Sequence, residues 1–200
     1  MEYIAHRLNT VAQLKKSPTC FGVEVDIRSD RGKLIIHHDP FCEGEFFEDW
    51  ISAYKHGTLI LNVKEEGLEQ KLLDIMSLHN ITNFFFLDQS FPFLVKWAQM
   101  DEKRCAVRVS EFETIETAMA LAGKVEWVWV DCFTKFPLTP DEIVALKEAG
   151  FKLCLVSPEL QGYNAEDGIL QLFTTLGKHK TLVDAVCTKR PDLWAALDKG

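Results

Sequence analysis

The feature that most constrains the fold is a regular recurrence of short apolar segments along the whole chain. Successive segments begin about 20–40 residues apart, which is the spacing of βα units. Several are rich in Val, Ile and Phe and are apolar on both faces, as in parallel strands that are covered on both sides. The eight segments are residues 3–6, 22–28, 58–64, 83–87, 104–109, 126–132, 151–157 and 184–188.

Helical patterns fill most of the intervals between these segments. Residues 65–79, 113–122 and 168–176 carry apolar side chains at helical spacing. Thr139 is suited to an N-cap, and Glu142 three residues later completes a capping box. Eight βα units of about 25 residues each predict a compact (β/α)₈ TIM barrel, an α/β fold, as one domain over residues 1–200.

Two connections differ from a regular barrel. The first helix, near residues 10–16, is short, and the long connection over residues 28–58 carries an extra apolar stretch at 33–38. A doubly wound open sheet is the alternative, although no glycine-rich phosphate loop follows the first strand.

The composition narrows the class of partner. A net charge of −8 argues against nucleic acid or an anionic membrane as the main partner, and the chain shows no signal peptide and no apolar run of spanning length. Six cysteines occur singly, without a C-x-x-C pair. We therefore expect a cytoplasmic protein with a small-molecule ligand and without disulfides.

Ionisable residues follow the predicted strands. In a parallel barrel the active site lies at the carboxyl ends of the strands. Ten ionisable side chains near one rim indicate a functional site more strongly than a solvated surface. They are His6, Arg7, Glu24, Asp26, Lys64, Asp88, Arg108, Asp131, Glu159 and Lys189.

Glu24 and Asp26 stand two positions apart on one strand and so point to the same face. Val23, Val25 and Ile27 occupy the opposite face. If the acidic face is the barrel interior, the two carboxylates repel one another unless a cation lies between them. The alternative is an exposed strand with two solvated acids.

Two histidine positions complete the candidate chemistry. His6 follows the first strand, and His37-His38-Asp39 follows the extra apolar stretch, so that only one of the adjacent pair is expected to face the site. Two imidazoles can share general-base and general-acid duty, and a carboxylate pair can hold a divalent cation. These groups suit the cleavage of a phosphodiester.

The same residues resemble the glycerophosphodiester phosphodiesterase family, whose pattern reads H-R-G, E-N-T, G-x-E-x-D, D-G and H-D. The matching segments are Ile4-Ala5-His6-Arg7, Asn9-Thr10, Gly22-Val23-Glu24-Val25-Asp26, Gly32 and His38-Asp39. A closing segment over residues 184–192 is similar to the family's D-G-I-x-T-D-x-P. The resemblance implies a TIM barrel in which His6 is the base or nucleophile, His38 is the acid and Arg7 contacts phosphate. It also implies that Glu24 and Asp26 bind Ca²⁺ or Mg²⁺.

The sequence departs from that family's pattern at the first loop and at the third strand. Leu8 replaces the glycine after His-Arg, and the spacing from Glu24 to His38 is one residue shorter. The family's E-x-K becomes Asn62-Val63-Lys64, which replaces a further metal carboxylate by an amide. Asn62 can still ligate through its oxygen, and Asp88, or more distantly Asp131, is a candidate to restore the negative charge.

The remaining strand-end residues are expected to contact substrate. This group is Lys64, Arg108, Asp131 and Glu159. Glu159 suits a sugar hydroxyl or an amine, although it is equally typical of a helix start. Trp127 and Trp129 are expected to pack between helix and sheet, with a rim position as the alternative.

The first functional hypothesis is a metal-dependent phosphodiesterase acting on a small polar phosphodiester, such as a glycerophosphodiester or a sugar- or glycan-linked one. A barrel that binds a phosphorylated ligand or partner without hydrolysis is the second. A lyase that forms a cyclic phosphate is the third, and an isomerase or aldolase with Lys64 as a Schiff-base lysine is the fourth.

Overall fold

The computed structural model describes residues 1–198 as a barrel of parallel strands surrounded by helices. Ten strands are present in this part of the chain: β1 (Glu2–Ala5), β2 (Gly22–Asp30), β3 (Lys33–Ile36), β4 (Glu45–Phe46), β5 (Leu59–Val63), β6 (Phe84–Leu87), β7 (Ala106–Val109), β8 (Trp127–Val130), β9 (Lys152–Val156) and β10 (Ala185–Thr188). The α-helices are α1 (Val11–Lys16), α2 (Phe47–Ser52), α3 (Glu69–Leu78), α4 (Phe91–Gln99), α5 (Ile115–Met119), α6 (Pro140–Glu148), α7 (Ala165–Leu176) and α8 (Pro191–Asp198).

Eight of these strands form a ring. Parallel pairs join β1 to β2, β2 to β5 and β5 to β6, and further parallel pairs join β7 to β8, β8 to β9, β9 to β10 and β10 to β1. A single parallel bridge between Phe86 and Cys105 closes the ring between β6 and β7. The eight predicted strand segments and the predicted (β/α)₈ barrel are therefore confirmed.

The extra apolar stretch is a hairpin attached to the barrel. Strand β2 continues past the barrel wall and pairs antiparallel with β3, which pairs antiparallel with the short β4. Arg31 and Gly32 at the β2–β3 turn have positive φ values of 48° and 80°. The hairpin carries the chain back over the rim, and His37 and His38 follow its second strand.

The alternation of side chains along each strand produces an inner and an outer apolar layer. Val128 and Val130 pack in the outer layer beneath the helices, whereas Trp127 and Trp129 lie inside the barrel. The expected helix–sheet packing of the two tryptophans is therefore wrong. The strand places bulky rings inward because the β-branched residues at alternate positions already fill the outer layer.

Helix boundaries follow local signals more closely than the apolar periodicity. The helix predicted at 65–79 begins only at Glu69, because Gly67 has a φ of +90° and interrupts the turn before it. The helix predicted at 168–176 starts earlier, since the side chain of Asn164 accepts a hydrogen bond from the Asp167 amide and caps it. The helix predicted at 113–122 is shorter, α5. The capping box of Thr139 and Glu142 is present as predicted.

Two further features concern the cysteines and the lengths of the helices. Four cysteines are buried and two are exposed, and every one of the six is a free thiol. None of the helices between residues 1 and 198 combines the length and the apolar character that a membrane span requires.

Candidate active site

The two carboxylates of β2 lie inside the barrel. Glu24 and Asp26 have no solvent-accessible surface, and the valines on either side of them pack in the outer layer. In the parallel register between β2 and β5, Asp26 lies opposite Asn62. The predicted inward orientation is confirmed, and the alternative of an exposed acidic face is wrong.

Glu24 is held by two donors. Its Oε2 accepts a hydrogen bond from the Arg7 amide at 2.8 Å, and its Oε1 accepts one from Asn62 Nδ2 at 2.8 Å. His6 Nε2 lies 3.8 Å from Oε2, too far for a hydrogen bond. Burial, and after it the charge of Asp26, raises the pKa of Glu24 to about 7. A cation in contact with the two carboxylates would reverse this effect.

Asp26 is held by Asn9, a residue for which the sequence indicated no role. Asn9 Nδ2 donates to Asp26 Oδ2 at 2.8 Å, and the Asp26 amide donates back to Asn9 Oδ1 at 3.1 Å. Arg7 Nε lies 3.5 Å from Oδ2, and Lys64 Nζ lies 3.3 Å from Oδ1. Asp26 Oδ1 nevertheless has no hydrogen-bond partner in the structure. The match of Asn9 to the family's E-N-T segment was the available signal.

His6 stands beside this pair at the end of β1. Its amide donates to the Thr188 carbonyl at 3.0 Å, and its buried Nδ1 has no hydrogen-bond partner. Burial, and after it the nearby positive charges of Arg7, Lys189 and Lys64, lowers the pKa of His6 to about 3. The imidazole is therefore neutral near pH 7 and able to accept a proton.

The first loop absorbs the replacement of glycine by Leu8. The left-handed backbone falls on Arg7, with a φ of 55°, one position earlier. The Leu8 amide donates to the Glu24 carbonyl at 3.1 Å, and Trp50 Nε1 donates to the Leu8 carbonyl at 2.8 Å. Together with the bond from the Arg7 amide to Glu24, these two hydrogen bonds hold the loop in its conformation. A glycine would adopt the left-handed backbone of such a loop without steric strain.

His38 is the better placed of the two adjacent histidines. Its Nδ1 lies 2.7 Å from Asp39 Oδ1, whereas His37 Nδ1 accepts from the Asp39 amide at 3.0 Å. Both histidines line a cleft of about 860 Å³ together with Arg7 and Asn9. That His38 and not His37 faces the site stays a prediction.

The side of the barrel mouth that is formed by the ends of β6, β7 and β8 carries a series of ion pairs. Asp88 lies 3.1 Å from Lys64 Nζ and contacts Arg108. Arg108 Nη1 lies 3.4 Å from Asp131 Oδ2, and its Nε lies 3.9 Å from Glu113. Lys64 therefore stands between Asp26 and Asp88, so Asp88 reaches Asp26 only through the lysine. That Asp88 restores the missing ligand charge stays a prediction.

Asp131 is held by a residue that the sequence did not indicate. Gln161 Nε2 donates to Asp131 Oδ1 at 2.5 Å, and the Cys132 amide donates to the same oxygen at 3.0 Å. Burial raises the pKa of Asp131, although Arg108 and Gln161 oppose this effect. Gln161 lies in a short 3₁₀ turn after β9, a position that carries no sequence signal.

The carboxylate of Glu159 is hydrogen-bonded to neighbouring residues of the protein. It accepts hydrogen bonds from Thr188 Oγ1 at 2.5 Å and from the Lys189 amide at 2.9 Å, and it also contacts Ser157 Oγ. These bonds join the end of β9 to the end of β10. Of its two expected roles, the local structural one is the one its contacts show, and a substrate contact stays a prediction.

The acidic side of the mouth, formed by β1, β2 and β5, offers candidate oxygen ligands for a divalent cation. Within residues 1–198, no three side chains of the types His, Cys, Asp and Glu converge as metal ligands, and the amide of Asn62 is the side-chain oxygen next to the two carboxylates. Asp26 Oδ1 and Asn62 Oδ1 are buried oxygens without hydrogen-bond partners, beside Glu24. Carboxylate and amide oxygens are suitable ligands for Ca²⁺ and Mg²⁺.

Comparison with known proteins bears on the fold. No family model and no curated protein sequence matches the chain. The structure is similar to a glycerophosphodiester phosphodiesterase from Agrobacterium tumefaciens, with a TM-score of 0.69, 15% identity and coverage of 100% of this chain and 99% of that one. A glycerophosphoryl diester phosphodiesterase from Parabacteroides distasonis gives a TM-score of 0.66 and 13% identity, over 98% and 86% of the two chains.

A more distant likeness connects the chain with another barrel enzyme. The tryptophan synthase α-subunit of Pyrococcus furiosus gives a TM-score of 0.51 with 10% identity, over 99% of this chain and 90% of that one. The two phosphodiesterases have higher TM-scores. At these identities the likenesses show the TIM-barrel fold, and the chemistry has to be argued from the site itself.

Proposed function

We propose that this protein is a divalent-cation-dependent phosphodiesterase that hydrolyses a small phosphodiester. One observation carries the proposal: Asp26 Oδ1 and Asn62 Oδ1, two buried oxygens without hydrogen-bond partners, lie beside a neutral imidazole and two cationic side chains. Unsatisfied buried acceptors are rare in folded proteins and call for an explanation, of which a bound ion is one. The likeness to two phosphodiesterases supports the same conclusion.

Glu24, Asp26 and Asn62 would hold the cation. When bound, it would supply positive charge to the phosphate oxygens and offset the repulsion between the two buried carboxylates. Asn9 keeps Asp26 in place by its paired hydrogen bonds, and the Arg7 amide does the same for Glu24.

Two cationic side chains would orient the phosphate. The Nε of Arg7 is buried and has no hydrogen-bond partner, so it is free to donate to a phosphate oxygen. Lys64 Nζ lies between Asp26 and Asp88 at the mouth. Both residues neutralise charge that is redistributed as the phosphorus–oxygen bond breaks.

The two histidines would move the protons. His6, neutral at physiological pH, takes the proton from the attacking hydroxyl or water as the new phosphorus–oxygen bond forms. His38 gives a proton to the departing alcohol oxygen, and Asp39 holds the ring through the contact at Nδ1. With water as the nucleophile, one phosphorus–oxygen bond forms and one breaks, so a monoester and an alcohol leave. With a hydroxyl of the substrate as the nucleophile, the same exchange gives a cyclic phosphodiester and an alcohol, and water then opens the ring to the monoester.

A second candidate is a barrel that binds a phosphorylated ligand without hydrolysing it. The observation that favours it is the orientation of Asn62, whose amide nitrogen donates to Glu24 at 2.8 Å. In this arrangement the amide of Asn62 donates a hydrogen bond to Glu24. A third carboxylate at this position would instead be available to bind a cation. Phosphodiester binding without turnover would support this candidate.

The test is hydrolysis of bis(p-nitrophenyl) phosphate and of glycerophosphodiesters in EDTA, Ca²⁺, Mg²⁺ or Mn²⁺. We expect turnover that requires a cation and is lost in His6→Ala and Glu24→Ala. His79→Ala, on a histidine that follows α3, is the matched control and should keep full activity. Cation binding by calorimetry without turnover of any ester would favour the second candidate, and turnover that survives Glu24→Ala would contradict the proposed site.

A further inference from the structure

The wall of the barrel opens between β6 and β7. These strands share a single bridge, with the Phe86 amide donating to the Arg104 carbonyl at 2.8 Å, whereas every other neighbouring pair in the described ring shares at least two register pairs. Beyond the bridge the strand ends separate. A cleft of about 720 Å³ lies there, between the connections that lead to α4 and α5.

Apolar side chains line part of this cleft. Leu87 and Ala106 belong to the inner layer of the barrel, whereas Leu94 and Val107 belong to the outer layer, and all four border the cleft. The rest of the lining is polar and includes Gln89, Thr114 and Thr117. The cleft therefore meets apolar side chains of both layers between β6 and β7. A linear apolar group fits such a passage better than a polar one does.

Four aromatic residues extend the cleft along the rim, and we call them the aromatic arc: Phe91, Phe112, Phe133 and Tyr163. They follow β6, β7, β8 and β9 in turn. Phe91 and Phe112 line the cleft and are 53% and 76% exposed. The rings of Phe112 and Phe133 lie 6.0 Å apart, and the Tyr163 hydroxyl donates to the Phe133 carbonyl at 3.0 Å. Phe91, Phe112 and Tyr163 are exposed and Phe133 is half-buried, so the four rings add apolar surface to this part of the rim.

The arc is held in position by Glu111. Its carboxylate accepts hydrogen bonds from the amides of Phe133 at 3.2 Å, Thr134 at 2.6 Å and Lys135 at 2.6 Å. Burial raises the pKa of Glu111, but these bonds outweigh it and lower the pKa to about 2. The loop after β7 is thus fixed to the loop after β8, which keeps Phe112 beside Phe133.

The cleft adjoins the proposed phosphodiesterase site through Asp88. Asp88 lines the cleft and lies 3.1 Å from Lys64 Nζ, which in turn lies 3.3 Å from Asp26. Arg108 at the same entrance is paired with Asp88, Asp131 and Glu113, so its charge is neutralised within the protein. An occupant of the cleft therefore meets paired charges at the entrance and apolar side chains below.

We infer that this cleft and the aromatic arc bind an alkyl or acyl chain on one of the two alcohols of the phosphodiester. The inference rests on the proposed function, and it makes the substrate an amphiphile. The polar head lies at the acidic side of the mouth, and the chain runs from Asp88 between β6 and β7. A net charge of −8 disfavours an anionic membrane as the occupant of the same surface.

The test is a series of p-nitrophenyl phosphodiesters whose second alcohol is methyl, butyl or octyl, each below its micelle concentration. One fully buried methylene corresponds to roughly a fourfold gain in affinity. Because the cleft is open to solvent, we expect kcat/KM to rise about tenfold or more from methyl to octyl. Phe112→Ala and Phe91→Ala should reduce this ratio several-fold. Leu78→Ala, an exposed apolar residue at the end of α3, is the matched control and should leave the ratio unchanged.

Binding of methyl phosphate and octyl phosphate, measured by calorimetry, separates the two proposals. Turnover that is independent of chain length would leave the phosphodiesterase intact and overturn the chain site. Octyl phosphate binding that depends on Phe112, without turnover of any ester, would support the chain site and contradict the proposed function. Sedimentation with phosphatidylcholine vesicles and no dependence on chain length would overturn the inference in favour of a membrane surface.

Discussion

The two sides of the barrel mouth satisfy their charged groups in different ways. On the acidic side, formed by β1, β2 and β5, Asp26 is ion-paired with Arg7 and Lys64, yet Asp26 Oδ1, Asn62 Oδ1 and His6 Nδ1 are buried without hydrogen-bond partners. On the paired side, formed by the ends of β6 to β9, the ionisable groups are partnered by one another, and the buried atoms without hydrogen-bond partners belong to the uncharged Gln89 and Ser90. Arg108 there is shared among three carboxylates.

This difference in hydrogen-bond and ion-pair partners indicates which side of the mouth needs a ligand. An unpartnered buried polar atom costs free energy, so a protein keeps several together only where something else pairs with them. Charges that pair within the protein need no ligand and stabilise the loops that carry them. The acidic side is therefore the candidate for chemistry, and the paired side is the candidate for positioning and specificity.

The largest expected effect is on the acidic side, from His6→Gln. General acid–base catalysis contributes about 10²- to 10⁴-fold, so kcat should fall by roughly 10³-fold with little loss of stability. The measurement is hydrolysis of an aryl phosphodiester at saturating cation. His37→Gln is the control, because its ring bonds to the Asp39 backbone, and less than tenfold loss is expected. Equal losses in both variants would assign the base elsewhere.

The next effect is a pH dependence of stability that comes from Glu24. The folded protein raises the pKa of this carboxyl from 4.5 to about 7, so folding favours its protonated form. Its contribution to stability is full below pH 4.5, falls as the pH rises to about 7 and is constant above. Glu24→Gln does not titrate there, so relative to wild type it should gain on the order of 3 kcal/mol over this window.

The measurement is urea unfolding of both proteins in EDTA between pH 4 and 8. His6, whose pKa is lowered to about 3, contributes the opposite slope: its stability is present above pH 6.5 and is lost as the pH falls. Both proteins contain His6, so its contribution largely cancels in the difference between their free energies of unfolding. Mg²⁺ or Ca²⁺ should suppress the wild-type loss. A difference that stays flat across the window would mean that Glu24 is ionised without a cation.

A smaller effect is expected on the paired side, from Arg108→Ala. Removing the guanidinium leaves Asp131, which is 4% exposed, and Asp88 without their cation. Since Arg108 is partly exposed, the loss in free energy of unfolding should be about 1–3 kcal/mol. Arg31→Ala, on a well exposed arginine 3.9 Å from Asp30, should cost less than about 0.5 kcal/mol. Equal stability of the two variants would show that the paired side does not stabilise its loops.

The smallest expected effect is a change in cation affinity in Asn62→Asp, which tests whether Asn62 is a ligand. Asn62→Asp adds a carboxylate beside Glu24 and Asp26, so cation affinity should rise by about tenfold, roughly 1.4 kcal/mol. Calorimetric titration with Mg²⁺ and Ca²⁺ measures it. In EDTA the variant should be less stable than wild type, because a third buried charge is then uncompensated. Unchanged affinity would place the cation away from this side chain.

The fold was predictable because it depends on periodicity. Apolar runs identified the eight barrel strands, and the alternation within residues 22–28 placed Glu24 and Asp26 on one face, which the structure shows to be the inner one. The capping box at Thr139 was predictable from the four consecutive residues 139–142. The inward position of Trp127 was not, since alternation alone does not tell which face of a doubly covered strand is the interior.

The candidate site was predictable only in part. His6, Glu24, Asp26 and His38 follow from strand ends, but Asn9 and Gln161 act through long-range hydrogen bonds to Asp26 and Asp131. The aromatic arc could not be anticipated either. Whether Phe112 is buried or exposed depends on the loop after β8, which Glu111 ties to its own loop.

The sequence by itself determined the number of βα units, the acidic pair on one strand face and the histidines at strand ends, because these depend on local spacing and on the two-residue period of a strand. Only the tertiary structure decided which charges lie next to which. Lys64 reaches both Asp26 and Asp88, and Arg108 reaches Asp131, because the ring of strands brings distant ends to one rim. The opening between β6 and β7 is of the same kind, since strand pairing is a property of neighbours in space.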